Sequence, residues 1–114
     1  MAAVFFPDLK SEVQVPVDGI LSRVLHQDQH VRVVAFAFDA GQQLTDHAAS
    51  RPAVIEVIEG RFELTLGEKT VAAGPRSWAL LPAGLQHSLT ALEPSVLLLT
   101  LLGGPPAAGS GDDG

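Results

Sequence analysis

Apolar patterns at helical spacing are hard to find in this chain, and Gly and Pro recur along it. Between the interruptions lie short runs rich in apolar and β-branched residues. They are Ile20 to His26, Val31 to Phe38, Ala53 to Ile58, Arg61 to Leu66, Thr70 to Ala72, Ser77 to Leu81, His87 to Ala91 and Ser95 to Leu102. Short strands closed off by turn residues predict an all-β barrel or sandwich. Gly67-Glu68-Lys69 reads as the turn of a hairpin. Residues 4–6 and 12–17 read as two further extended pieces, broken by Pro7 and Pro16. The run from Ser95 to Leu102 is apolar at nearly every position. That suits a strand buried on both faces, or one buried at a subunit interface; a short buried helix is the rival reading.

A chain of 114 residues predicts one domain. At this size roughly two-thirds of the unfolded chain's surface is buried, enough for one core without staples. We expect the barrel to occupy residues 1–102, including N-terminal strands. The Gly/Pro-rich tail, residues 103–114, carries too little apolar surface to offset its ordering entropy and is expected to be disordered. There is no cysteine, which excludes disulfides and thiolate metal sites and fits a reducing compartment. The net charge is −6, with the seven basic side chains scattered singly. Nucleic-acid and membrane surfaces need clustered Lys and Arg, so neither is an expected partner. No apolar run approaches the ~20 residues that span a bilayer. The N-terminus lacks the basic start and long apolar middle of a signal peptide, so the expected compartment is the cytoplasm.

The chemistry-bearing stretch runs from Gly41 to Ala91. Gly41-Gln-Gln-Leu-Thr-Asp-His47 opens it, followed by Ala48 to Gly60; Leu80-Leu-Pro82-Ala-Gly84-Leu-Gln-His87 closes it. These two segments resemble, in order, the two sequence motifs of the cupin superfamily. Gly41, His47 and Gly60 keep the spacing of the first motif; Pro82, Gly84 and His87 keep that of the second. The resemblance covers roughly residues 20–102. It implies an RmlC-like double-stranded β-helix, or jelly-roll barrel. It also implies a metal site, and there this chain departs from the pattern. The positions of the second histidine and the glutamate of the first motif hold Ala49 and Ala53. The leading glycine of the second motif would be Gly74, set two residues too far from Pro82, and the closing asparagine position holds Ala91. The superfamily spans oxygenases, isomerases, epimerases, storage proteins and sensors, so the fold does not select a reaction.

A catalytic metal needs about three protein ligands and an open position. His47 and His87 supply two imidazoles that could hold one divalent transition metal (Fe, Mn, Ni or Zn). Asp46, Glu56, His26 and His30 are candidates for a third ligand, but none stands at a family ligand position. Glu56 lies an odd number of residues from Ala53 and is expected to face the other way. If Ala49 and Ala53 line the cavity, their methyl groups enlarge it and make it apolar, which favours a small organic ligand. Neutral imidazoles can bond such a ligand as donor or acceptor, or act as general acid and base near neutral pH. Three functions follow: a small-molecule binder marked by His47 and His87, a metal-dependent oxygenase or isomerase using the same residues, or a dimeric sensing or accessory module. A DNA-binding regulator would need a helix-turn-helix, for which the chain has no room.

Trp78 is the lone tryptophan; it is assigned as a ligand-binding residue, with core packing as its alternative. His26 and His30 read as solvated residues of a polar turn. Arg76, in the Gly-Pro-Arg-Ser turn, reads as a loop arginine within reach of an anionic ligand. The apolar N-terminal segment and the last strand together predict a homodimer.

Overall fold

The computed structural model describes residues 2–103, and for Asp46 and His47 the backbone alone. The predicted tail, apart from Gly103, lies outside the described residues. Nine strands follow a short 3-10 turn, Leu9–Glu12. They are β1 (Ile20–Gln27), β2 (Val31–Phe38), β3 (Gln43–His47), β4 (Ala53–Glu59), β5 (Phe62–Leu66), β6 (Lys69–Ala73), β7 (Trp78–Leu81), β8 (His87–Ala91) and β9 (Ser95–Leu102). Two antiparallel sheets form, in the orders β1-β2-β9-β4-β7 and β3-β8-β5-β6.

The pairing shows how the chain closes. β5 pairs with β6, β4 with β7, β3 with β8 and β2 with β9, as nested arms of one long hairpin. The hairpin is rolled, so that β9 also lies against β4 and β8 against β5. This is a jelly roll, as the resemblance implied. Its innermost turn, Gly67-Glu68, joins Leu66 to its register partner Lys69, with Gly67 at φ +64°. A two-residue hairpin loop with positive φ at its first position favours glycine there.

The core lies between the sheets. Phe38, Ile55, Val57, Phe62, Leu64 and Leu101 are each 2% exposed or less. Phe38 of one sheet meets Phe62 of the other edge-on, with ring centroids 5.1 Å apart, a favoured aromatic geometry. Gly60, between β4 and β5, has φ +86°, and a Cβ there would collide with Ser95 and lie 2.7 Å from the Pro94 carbonyl.

The N-terminus departs from expectation. No strand forms before Ile20 among the described residues. Val13 has extended dihedrals but takes part in no ladder; the segment crosses the outer face of the five-stranded sheet instead. Val13 is buried there against Ala35, Ala37 and Val96, with Val15 and Leu98 beside them. Lys10 bonds Glu59 at 2.9 Å, and Arg23 donates to the Glu12 carbonyl at 3.1 Å. The apolar segment is thus partly used within its own chain. This cover also explains β9, a strand with neighbours on both edges: Leu97 and Leu101 point into the barrel, Val96 toward the N-terminal segment.

Candidate functional site

The second motif is a turn that delivers a histidine. Leu85 N–H donates to the Pro82 carbonyl at 3.2 Å, and Gly84 sits third in that turn at φ +82°, where a type II turn requires glycine. Gly84 N–H also donates to the Ala49 carbonyl at 2.8 Å, tying this turn to the β3–β4 loop. The chain then enters β8 at His87. There it is flanked by two strands, and its register partners are His47 on β3 and Leu66 on β5. The two histidines picked out by the motifs therefore stand opposite each other in the backbone ladder. The side chain of His47 lies outside the described residues.

His87 lines a small cavity between the sheets. The other walls are Phe36 and Phe38 from β2, Leu44 from β3, Ile55 from β4, Leu89 from β8, and Leu97 and Leu99 from β9. Its volume is about 30 Å³, the share of about one water molecule in the liquid. Leu44 is 37% exposed and stands where the cavity meets solvent. The His87 ring is half-buried, and its Nδ1 lies 3.1 Å from the Leu85 carbonyl oxygen. A carbonyl only accepts, so Nδ1 carries a proton.

The two alanines at family ligand positions do not line this cavity. Ala49 is 6% exposed and Ala53 1%, and both belong to the main core cluster. Ala53 is the register partner of Leu81 and of Leu101. The expected enlargement by two methyl groups is therefore absent, because core side chains close over these positions. Phe36 and Phe38, which pack in the core, are walls of the cavity as well. The alternation that makes them so is legible: Phe36 and Phe38 share a face of β2, as His87 and Leu89 share one of β8.

The remaining candidates lie elsewhere. Glu56 pairs in register with Leu98 and Trp78 on the outer face, as its parity required. Trp78 is 61% exposed and borders a second hollow, of about 220 Å³, at the open seam between β6 and β7. That hollow shares only Ile55 with the cavity at His87. Arg76 is exposed at φ +70° in a turn closed by Ser77 N–H donating to the Gly74 carbonyl. His26 is more than a solvated turn residue: its Nε2 donates to Asp28 Oδ2 at 2.7 Å. Asp28 also accepts from the His30 and Val31 amides. These bonds, the His26 one foremost, hold its carboxyl at a pKa of about 2, below the ordinary 3.8. His30 is exposed. Among the described residues no three His, Cys, Asp or Glu side chains come together as a metal set. No described helix is long and apolar enough to cross a membrane.

No family model and no curated protein matches the sequence. Solved structures do. A conserved protein of unknown function from Streptococcus pyogenes is 30% identical, over 94% of this chain and 93% of its own, with a TM-score of 0.80. A cupin superfamily protein from Desulfitobacterium hafniense is 19% identical over 82% of this chain and 86% of its own, with a TM-score of 0.79. An RmlC-like cupin from Desulfovibrio desulfuricans is 22% identical over 90% and 96%, with a TM-score of 0.74.

Proposed function

We propose, on the cupin fold that these structures share with this chain, that it binds a small organic molecule in the cavity beside His87. The observation that carries the reading is an imidazole set, among the described residues, in a wall of Phe and aliphatic side chains. Ligand pockets are built this way, with apolar walls for affinity and few polar groups for orientation. The imidazole is the polar group that orients the ligand, which therefore carries a hydrogen-bonding group of its own. The volume of about 30 Å³ holds about one non-hydrogen atom, so only the tip of the ligand enters. The rest of the molecule lies at the mouth, beside Leu44. His47, the register partner of His87, is the second imidazole of the proposed site.

The described donor set does not fit a resident metal. The two family positions that would complete it hold buried alanines, and no third donor converges with His87 among the described residues. No metal-dependent step is therefore derived.

A fragment screen by thermal shift tests the reading. A hundredfold excess over Kd stabilises the folded state by about 2.7 kcal/mol, a rise on the order of 10 °C in Tm. We expect at least one small polar fragment to raise Tm saturably in the wild type. The effect should vanish in His87→Ala and in Leu44→Trp, which closes the mouth. Fragments that stabilise all three proteins equally, or none at all, contradict the proposal.

A further inference from the structure

From the seam where the two sheets part, between β6 and β7, we infer a second ligand site. It takes a planar, single-ring aromatic molecule with one hydrogen-bonding substituent. β6 and β7 are the last strands of their sheets and are neighbours in neither sheet order. Alternation turns Val71 and Ala73 of β6 inward, and likewise Ala79 of β7 and Ser77 two residues before it. Three of these four side chains are small. They leave the seam unfilled above Ile55, Val57 and Leu64, and the hollow there measures about 220 Å³. The cavity beside His87 measures about 30 Å³. About 150 Å³ is enough for a benzene ring, so the hollow has room for a ring and its substituent.

Backbone bonds hold the seam open. Ser77 N–H donates to the Gly74 carbonyl at 3.1 Å and closes the turn between the two strands. Arg76 N–H donates to the Val57 carbonyl at 2.8 Å, and Val57 N–H to the Ser77 carbonyl at 3.0 Å. The turn is thereby fastened to β4, and β7 cannot swing across to β6 without breaking these bonds. A hollow already in shape spares a ligand the cost of ordering it. Its walls select the ligand. Among the described lining residues none is charged, and Ser77 carries the one polar group besides the Trp78 indole N–H. A hydroxyl donates and accepts, so it can bond a substituent such as a phenol group in either sense. Facing sheets lie about 10 Å apart, which makes the space a slot that admits a ring edge-on. Trp78, 61% exposed, stands at the rim and adds an aromatic surface there. Because the two cavities share only Ile55, Trp78 serves a site separate from the one marked by His87.

Titration with para-fluorophenol tests this. The fluorine NMR signal of the ligand and the emission of Trp78, the lone tryptophan, read the same binding event from its two sides. We expect both to saturate with one Kd, on the order of 1 mM for so small a ligand. Ala79→Leu grows into the hollow and should abolish saturable binding up to ~10 mM, with unchanged circular dichroism and cooperative unfolding. Ser77→Ala should weaken binding by about five- to tenfold. His87→Ala, which removes the imidazole of the other cavity, should leave the Kd as it is. Should Ala79→Leu fail to fold, Ser77→Ala decides alone. A wild type that does not saturate, a Kd that ignores the seam substitutions, or binding lost in His87→Ala overturns the inference; the last would place the ring in the other cavity.

Discussion

Ala53 decides much of what this barrel can do. A glutamate at this position would complete a metal set in the motif that Gly41, His47 and Gly60 otherwise follow. Here the side chain is a methyl group, 1% exposed, wedged between Leu81 and Leu101. A carboxylate placed there enters the main core cluster and must either shift its pKa or open the core. Ala53→Glu is therefore expected to cost ~3–5 kcal/mol, read as a fall in the urea midpoint at pH 7. A cost under about 0.5 kcal/mol would show that the position opens onto water or a cation. The sequence told which residues stand at the ligand positions, but not that the core closes over them. Cavity shape depends on side chains from β2, β4, β8 and β9 at once, and no local pattern encodes that sum.

At the scale of elements, glycine positions hold the roll together. Gly60 combines φ +86° with a site where a Cβ collides with Ser95. Ser95 is itself fully buried; its Oγ accepts from the Arg61 amide at 3.0 Å and donates to the Glu93 carbonyl at 2.7 Å. It cannot move aside without stranding those groups. Gly60→Ala should thus destabilise the fold by about 2–4 kcal/mol, through left-handed strain and overpacking together. Gly41→Ala meets no atom within 4 Å and carries the φ penalty alone, so it should cost about 1 kcal/mol. Equal costs for the two substitutions, measured by denaturant unfolding, would contradict the steric part. Most strands were legible because short apolar runs end at turn residues, as in Val31–Phe38 before Asp39-Ala-Gly41. β3 escaped the list of expected strands: Gln43-Leu-Thr-Asp-His47 has one apolar residue and no run to detect. The N-terminal piece failed for the opposite reason. Its apolar residues looked like a strand, yet they pack on an outer sheet face without backbone pairing.

For the whole molecule, the two sheets divide the labour. The four-stranded sheet brings His87 into the interior through β8, flanked by the β3 and β5 strands. The five-stranded sheet supplies most of the cavity's apolar wall on one face and the patch around Trp78 and Leu80 on the other. The two motifs implied this architecture through their resemblance, and the rolled hairpin sets Gly41–His47 beside Pro82–His87. Chemistry was less legible, because it rests on what replaced the absent ligands rather than on what remained.

The central claim is that the histidine pair marks an organic pocket and not a metal centre. Metal content by mass spectrometry tests it most directly. Untagged protein would be measured as purified and after incubation with Fe(II), Mn(II), Ni(II) and Zn(II), beside a His47→Ala/His87→Ala variant. The account predicts no more metal in the wild type than in the variant. About one metal per chain, lost in the variant, would contradict it and return the pair to metal chemistry.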